Sequence, residues 1–576
     1  MNPRAEGAAE QDLLSRWMDE ATVGGTTPVA VGRSGPLLAS PAQRGLWMAQ
    51  QIAGDDSTSL VMHHAHRIRG PLDVAALARA LDVVVARHEA LRTGFRWTGG
   101  DLVQHVNEPR ELHVAAEPLS SRHPHIETAI RETIATAAIG AMDLGAGRVF
   151  HPRLYRIGHD DHVQLLLIHH IANDGWSMTV MNRDIAALYD EYTGGPAACL
   201  SEIELQYCDF AAWQRDSLAG GAHDECRTFW KHVLAGVRQP TPLPLDRARP
   251  PVQSLRGGWL EFPVTGGVMS RVVGAAAALD ATPFMVTLAA FFLALSRWTG
   301  ESDLVVAGAV SVRPFSEVEN TVGPFVTLLP LRCGVSASGT FADLVGVVRS
   351  VVLDARVNEM LPFEDILAAV DIPKNPSYSP LSQVVFSHHA GLIEDLELTG
   401  VTVTRVPLAD VDIQKDLQFQ LADGVSPVIV IGYATALFDE ATVRKLAEQY
   451  VEALAHLVDR PGAPLSELAL PGAMPAPRAA WVTAVSQSAV DVGNGVESNR
   501  DLVARAWREV LGTNDFTATD DFFDLGGESL GAIRVCTRLS EWTGVAVTMR
   551  LLYENPNFGS FVRRVDAVAS QPTTEL

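Results

Sequence analysis

The stretch HVQLLLIHHIANDGWS, residues 162–177, joins an apolar run to two adjacent histidines and a polar turn. Its first half has the period-two apolar pattern of a buried β-strand. Neighbouring side chains of a strand face opposite sides of the sheet. We therefore expect only one of His169 and His170 to line a pocket, and the other to be structural.

The turn after the histidines supplies the groups that a catalytic imidazole needs. Asp174 can hold an imidazole or an arginine in place, and Gly175 can adopt a positive φ. Taken alone, the segment predicts a general base with an orienting carboxylate. Two core histidines with satisfied hydrogen bonds explain it about as well. A metal site is disfavoured, because adjacent strand positions diverge and no HExxH motif or facial triad of ligands accompanies the pair.

Helical and strand-like patterns alternate around this segment, which indicates an α/β protein. Amphipathic helices are predicted before and after it, at residues 73–92 and 178–192. A second lobe repeats the pattern, with a helical stretch predicted over residues 270–298 and strands over 303–312 and 426–435.

Shifts in composition predict where the folding units begin and end. A length of 576 residues is too long for one ordinary core. A Pro/Ala/Ser/Gly-rich stretch after the second lobe loses apolar periodicity, as a linker does, and short amphipathic patterns typical of a small helical bundle follow it. The predicted units are a flexible N-terminal segment (1–35), an N-lobe (36–205), a C-lobe (206–470), a linker (471–500) and the C-terminal bundle (501–570).

Charge and composition exclude several classes of protein. The formal net charge is −23 without a Lys/Arg tract, so neither nucleic acid nor an anionic membrane surface is expected as a partner. The five cysteines are scattered, which favours reduced thiols in a cytoplasmic protein. No signal peptide follows Met1, and the longest apolar stretch, residues 284–295, is too short to span a bilayer. No P-loop or Rossmann glycine pattern follows a strand, so nucleotide binding is not expected.

The histidine segment resembles the HHxxxDG motif of nonribosomal peptide synthetase condensation domains, with matches at His169, His170, Asp174 and Gly175. Six further segments resemble that family in the same order, which is hard to obtain by chance. The resemblance covers most of residues 36–470. The six segments are SPAQRGLW (40–47), RHEALRTGF (87–95), YCDFAAWQR (207–215), LPLDRARP (243–250), RPFSEVENTVGPFV (313–326) and LPFEDIL (361–367).

This resemblance implies an α/β fold in which two lobes similar to chloramphenicol acetyltransferase form a V-shaped condensation domain. In the family the second histidine of the motif lies in a tunnel between the lobes, so the catalytic role falls on His170. The aspartate is implied to be structural, with Asp174 pairing with Arg313 of the second lobe. Arg92 is a family motif residue that is expected to shape the site, and Gly175 is expected to contribute backbone polarity where the oxyanion forms.

The chain departs from the family at segments away from the histidine motif. Thr327 and Leu328 stand where Asn-Thr is usual, residues 358–360 read NEM instead of HQD, and the late RNPL segment is at best SPL at 379–381. These departures put substrate or tunnel details in question more than activity. Specialised relatives are disfavoured, because Ile168 replaces a third histidine, a heterocyclising DxxxxD replacement is absent, and a recruitment-type domain would lose HHxxxDG.

The segment DDFFDLGGESLGAIRV, residues 520–535, holds a second candidate site. Gly527 to Gly531 satisfy GxSxG, the nucleophile elbow of α/β hydrolases. That interpretation fails, because Ser529 follows an Asp/Gly-rich loop rather than a strand and no histidine follows Leu530. The segment resembles peptidyl carrier domains, which are small four-helix bundles. The resemblance implies 4′-phosphopantetheine attached covalently to Ser529, at a helix start that favours a phosphodiester; a helix N-cap alone is the structural alternative.

Together the resemblances imply an acyltransferase that forms an amide bond at His170 between a carrier-bound acyl or peptidyl thioester and an acceptor amine. The acceptor is expected on this chain's own arm, and the donor on a separate upstream carrier. The short gap before the carrier leaves no room for an adenylation domain, so an adenylation enzyme is expected to act in trans and a phosphopantetheinyl transferase to modify Ser529. Ester formation, a free nucleophile and a non-catalytic platform for a tailoring enzyme remain open.

Overall fold

The structure is a computed structural model of the chain. Most of the predicted N-terminal segment and most of the predicted linker lie outside the described residues. The described residues are 27–119, 125–370, 372, 375–389, 396–406, 411–424, 426–467, 498–513, 515–527, 529–543, 545 and 547–569.

The first lobe alternates strands with helices, as the sequence pattern predicts. Three of its helices begin at a capping residue, Ser40, Asp73 or Asp174, whose side chain accepts a hydrogen bond from the backbone N–H three residues later. The elements in chain order are β1 (Leu37–Leu38), α1 (Pro41–Ala53), β2 (Val61–Arg69), α2 (Val74–Arg87), β3 (Thr93–Thr98), β4 (Asp101–Val106), β5 (Ala116–Pro118), α3 (Ile126–Ala138), β6 (Phe150–Gly158), β7 (Asp161–His169) and α4 (Gly175–Tyr192).

Strand β7 is the apolar run before the histidines, and it lies inside a sheet in which β2, β7, β6 and β5 are neighbours in that order. It runs antiparallel to β2, with Val61 opposite His169 and Arg69 opposite Asp161. The residues from Leu165 to Ile168 are fully buried. Because β7 ends at His169, the two histidines stand where this buried strand reaches the end of the sheet.

The second lobe is a six-stranded sheet covered by helices. Its neighbours in order are β10, β9, β11, β13, β14 and β8, and the most buried helix, α8, packs against α9 and α11. The elements in chain order are α5 (Tyr207–Ala219), α6 (Asp224–Val233), β8 (Gly257–Pro263), α7 (Val268–Ala278), α8 (Pro283–Thr299), β9 (Asp303–Ser311), β10 (Val326–Gly334), α9 (Phe341–Val357), α10 (Phe363–Ala369), β11 (Val384–His389), β12 (Thr402–Arg405), β13 (Leu417–Ala422), β14 (Val428–Ala434) and α11 (Glu440–Asp459).

The structure corrects the helical stretch predicted over residues 270–298, which is two helices. Asp280 takes a positive φ of 50° after α7, and Thr282 caps α8, whose first residue is Pro283. Proline lacks the N–H that a continuing helix needs, so it starts a helix rather than extending one. In the described ranges no single helix is long and apolar enough to cross a membrane, and α7 and α8, bent by 106°, meet that criterion only as a pair.

Two elements from beyond residue 205 complete the first lobe. Strand β12 pairs antiparallel with β2, with Arg405 opposite His66, and so becomes the edge strand of the first sheet. Helix α5 buries Tyr207, Phe210 and Trp213 in the core of the first lobe. The two lobes are therefore joined by backbone pairing as well as by side-chain packing.

The C-terminal bundle has its own apolar core, in which Trp507, Phe522, Leu539 and Phe561 are fully buried. Its helices are α12 (Asn499–Leu511), α13 (Ser529–Thr543), α14 (Met549–Glu554) and α15 (Phe558–Ala569).

The bundle lies against helix α1 of the first lobe. Arg550 of α14 donates a hydrogen bond from Nη1 to the carbonyl oxygen of Ala53, at 3.4 Å. Trp47, Met48 and Ile52 of α1 pack against the apolar cluster of the bundle. This contact brings the bundle to the helix that also borders the histidine turn.

Candidate active site between the two lobes

His170 is the first residue of a short 3₁₀ helix, His170–Ala172, directly after β7. Its backbone N–H donates to the carbonyl oxygen of Leu60, at 2.8 Å. Its ring Nδ1 lies 2.9 Å from the carbonyl oxygen of Asn173. Because a carbonyl oxygen only accepts, Nδ1 carries the proton and Nε2 keeps its lone pair. No described residue hydrogen-bonds to Nε2, so this nitrogen is available to a substrate.

His169 has the opposite character. It is fully buried, its Nδ1 accepts a hydrogen bond from the backbone N–H of Ile171 at 3.0 Å, and its Nε2 donates to Gln50 Oε1 at 3.1 Å. Burial, with a smaller contribution from neighbouring His170, lowers the pKa of His169 to about 3, so the ring stays neutral. Both ring nitrogens are therefore occupied, and His169 ties the histidine turn to α1.

Asp174 is buried and holds the start of α4 to the second lobe. Its Oδ1 accepts from the backbone N–H of Ser177 at 2.8 Å and from the Ser177 hydroxyl at 2.6 Å. Its Oδ2 accepts from the backbone N–H of Phe325 at 3.2 Å, and Arg313 Nη2 lies 3.2 Å from Oδ1. Because these hydrogen bonds occupy both of its oxygens, the Asp174 carboxylate binds groups of the protein and is not available to a ligand.

Arg313 completes this interlobe connection. Its Nη1 donates to the carbonyl oxygens of Val318 and Thr321, both at 2.7 Å, and its Nη2 donates to Ser177 Oγ at 3.1 Å. The guanidinium also stacks over the ring of Phe325, at 3.9 Å from the centroid. Burial lowers the pKa of Arg313 and the Asp174 carboxylate opposes that shift, so the two buried charges depend on each other.

Gly175 is the first residue of α4 and does not take the positive φ that the turn pattern suggested. Its missing side chain matters for a different reason. A Cβ at this position would lie 3.9 Å from Cε1 of His389, at the end of β11 in the second lobe. The His389 ring of the second lobe therefore lies beside the start of α4 in the first lobe.

Arg92 is not brought to the histidine turn by any hydrogen bond that it makes. Its Nε and Nη2 donate to the carbonyl oxygens of Val85 and Ala86, each at 3.2 Å, and its Nη1 donates to that of Asn107. The first two carbonyls belong to the last turn of α2. Arg92 therefore joins that helix end to the residue after β4.

Ser529 is the first residue of α13, as the carrier resemblance implies; its side chain lies outside the described part of the structure. The preceding loop needs its glycine, because a Cβ on Gly527 would lie 2.4 Å from the backbone oxygen of Phe522. A loop that leads straight into a helix N-terminus fits a phosphodiester, whose charge the free N–H groups favour.

His389 is not among the site residues that the sequence patterns predict. Residues 384–389 read VVFSHH, an apolar run that ends in two histidines, which is the same signal that singled out residues 163–170. The position of His389 beside Gly175 depends on how the lobes pack, and no local sequence pattern contains that information.

Comparison with known families decides what kind of protein this is. The model of the Condensation domain family matches residues 34–474. The chain belongs to the condensation-domain family. A second match, described as a phosphopantetheine attachment site, covers residues 501–565, so the C-terminal bundle is a carrier domain to which 4′-phosphopantetheine is attached covalently. The predicted family, fold class and cofactor are confirmed.

Relatives of this condensation domain come from large synthetases. Chondramide synthase cmdD of Chondromyces crocatus is 32% identical over 453 residues, which cover 78% of this chain and 12% of that protein. The chain thus spans about an eighth of the length of that relative, and a similar or smaller part of other relatives that it matches.

Solved structures share the two-lobed fold. The X-domain from teicoplanin biosynthesis is 29% identical with a TM-score of 0.68, covers 77% of this chain and 100% of its own, and has also been solved in complex with OxyB. SgcC5 from Streptomyces globisporus is 26% identical with a TM-score of 0.59 and covers 79% of this chain and 98% of its own. It was solved with (R)-(-)-1-(2-naphthyl)-1,2-ethanediol and sucrose.

Proposed function

We propose that this chain forms an amide bond between an acyl or peptidyl thioester on an upstream carrier and an amine on its own carrier domain. The observation that carries the proposal is the tautomer of His170. Its Nδ1 donates to the Asn173 carbonyl at 2.9 Å, which leaves the Nε2 lone pair for the proton of an attacking amine.

The reaction balances without a further reactant. The amine nitrogen attacks the thioester carbonyl carbon, a C–N bond forms, and the C–S bond to the donor carrier breaks. The proton lost by the amine leaves with the released thiol. His170 Nε2 accepts that proton or orients the amine, and holding both substrates in one cleft supplies several kcal/mol by proximity alone.

Two contacts support delivery of the acceptor by this chain's own carrier domain. Arg550 and its neighbours hold the bundle against α1, and Gln50 of the same helix bonds His169, next to the catalytic candidate. We assign the attachment of 4′-phosphopantetheine to Ser529, the first residue of α13. When attached, that group supplies the thiol on which the acceptor is carried.

The partners are proposals as well. A phosphopantetheinyl transferase modifies the carrier, an upstream carrier brings the donor, and an adenylation enzyme acts in trans, since only residues 475–500 separate the two matched domains. We place the reaction in the cytoplasm, because all five cysteines are free thiols.

Intact mass spectrometry tests the proposal. After treatment with a phosphopantetheinyl transferase and a candidate acceptor, the chain is mixed with a loaded donor carrier. His170→Ala should abolish the condensed product and leave carrier modification intact, whereas Ser529→Ala should abolish modification itself. The control is His113→Ala, a surface histidine whose side chain is 81% exposed. Undiminished turnover in His170→Ala would contradict the assignment.

Ester formation with a free nucleophile is a second candidate, supported by the diol bound to SgcC5. Offering the loaded donor to carrier-bound amines, free amines and free diols in parallel separates the candidates by product mass. The complex of the X-domain with OxyB supports a third candidate, a platform for another protein. Capture of a partner without turnover of any acceptor would favour it.

A further inference from the structure

A second histidine pair, His388 and His389, ends β11 of the second sheet, and His389 lies beside Gly175, the first residue of α4. The first member of the second pair, His388, is structural, as His169 is. Its Nε2 bonds Asp423 Oδ2 at 2.8 Å, its Nδ1 lies 3.4 Å from Thr287 Oγ1, and its side chain is 3% exposed. It therefore faces the helix side of the second sheet.

His389 points the other way, because adjacent strand residues face opposite sides. Its Cε1 is the ring atom nearest to Gly175 and lies 3.9 Å from where a Cβ would stand there. Both ring nitrogens are bonded to Cε1, so whichever nitrogen carries the proton stands beside the first turn of α4. Strand β11 pairs with β9 at Val385 and Phe386, so His389 lies beyond that pairing, although it still pairs with Ala422 of β13.

The imidazole of His389 is neutral and has free hydrogen-bonding capacity. Burial lowers its pKa to about 4, with a smaller contribution from His388. The positive end of α4, a helix of 18 residues, also disfavours a proton on the ring. No described residue hydrogen-bonds to either ring nitrogen. At neutral pH the ring thus offers one N–H donor and one acceptor.

We propose that His389 is a catalytic residue that donates a hydrogen bond to the carbonyl oxygen of the donor thioester as that oxygen gains negative charge. This inference rests on the proposed condensation reaction. In the proposed reaction His170 Nε2 faces the attacking amine, so an N–H of His389 is available for the other polar centre of the reaction, the carbonyl oxygen. The N-terminus of α4 beside His389 favours negative charge at the same place.

Two variants test this role. His389→Leu removes the donor at similar size, whereas the amide of His389→Gln still donates a hydrogen bond. We expect kcat to fall about a hundredfold in the leucine variant, with KM changed less than about twofold, because the bond forms mainly in the transition state. The glutamine variant should recover at least about a tenth of the wild-type kcat. His159→Leu is the matched control, at a side chain that is 96% exposed.

The pH profile separates this role from general-base catalysis. Because His389 stays neutral from about pH 6 to pH 9, His389→Gln should keep the wild-type profile of kcat. A profile that loses one limb in this variant would show that His389 titrates during the reaction and would overturn the proposal. Equal kcat in the leucine variant and the wild type would overturn it as well.

A binding measurement keeps the inference independent of turnover. A phosphonate analogue of the tetrahedral intermediate, built on a pantetheine stub, should bind His389→Leu about a hundredfold more weakly than the wild type, while the unreacted donor thioester binds both alike. Equal affinity for the analogue refutes the role of His389 even in a fully folded variant. If the wild-type chain gives no condensed product, the proposed function fails, but the analogue still reports on His389.

Discussion

The replacement Asp174→Asn is expected to loosen the connection between the lobes rather than remove a reacting group. Asp174 is fully buried and accepts hydrogen bonds from Ser177, Phe325 and Arg313. An asparagine keeps one oxygen, but its NH₂ group faces a donor where the second oxygen stood, and the Arg313 charge loses its counter-charge. Breaking a buried ion pair by removing one partner costs about 3 to 5 kcal/mol.

Hydrogen exchange gives the local measurement that this prediction needs, because it reports on the opening of individual segments of the chain. Peptides that span the start of α4 and residues 313–325 are compared between variants. A loss of about 3 to 5 kcal/mol corresponds to amide exchange that is faster by about two to four orders of magnitude. Peptides from the carrier bundle serve as the internal control and should exchange as in the wild type.

A double variant isolates the charge effect. Arg313→Met in the Asp174→Asn background removes the unpaired charge. The double variant should therefore lose less amide protection from hydrogen exchange than the sum of the losses in the two single variants. If Asp174→Asn leaves exchange unchanged and still abolishes turnover, the carboxylate acts on the reacting atoms and the structural interpretation is wrong.

Three further outcomes are expected. His169→Leu removes the acceptor for the N–H of Ile171 and should lower the free energy of unfolding by about 1 to 3 kcal/mol, seen as a lower melting temperature. Burial lowers the pKa of His64 to about 3 and of His66 to about 4; the stability that each contributes is complete above about pH 6.5 and is lost as the pH falls toward the folded-state pKa. Each of the two histidines should therefore lower the free energy of unfolding by about 1.4 kcal/mol when the pH falls from 7.5 to 5.5. In a variant with glutamine at both positions, the urea midpoint should change less between these pH values than in the wild type. An equal change would contradict this prediction. Ile52→Asp places a charge in the contact between α1 and the carrier domain and should slow transfer to the carrier-bound acceptor while leaving phosphopantetheine attachment, measured by mass, unchanged.

The local part of the site was open to prediction from sequence. An apolar run fixes β7, alternation along the strand separates His169 from His170, and Asp174 begins α4 as a turn residue should. Each of these conclusions needs only residues within a few positions of one another. The helix start at Thr282-Pro283 could also have been predicted, since proline favours the first position of a helix. The apolar residues on both sides instead favoured one continuous helix.

The remaining features depend on contacts between distant parts of the chain. The pairing of β12 with β2 joins residues more than 300 positions apart, and a strand of four residues carries little pattern of its own. His389 ends an apolar run with two histidines, the same local pattern that marks His170. Nothing near it in the sequence indicates that its ring lies beside Gly175. Arg92 is a family motif residue, but its hydrogen bonds go to backbone carbonyls of the preceding helix α2 and of Asn107, and none of them reaches the histidine turn.

The pairing of β12 with β2 also limits how the condensation domain can open. Backbone-paired strands resist separation, because each lost pair exposes N–H and C=O groups that need new partners. Four residue pairs, from Thr402–Arg69 to Arg405–His66, join the lobes in this way. A movement that keeps these pairs intact carries β12 together with the first sheet, so the lobes stay joined along this ladder when they move relative to each other.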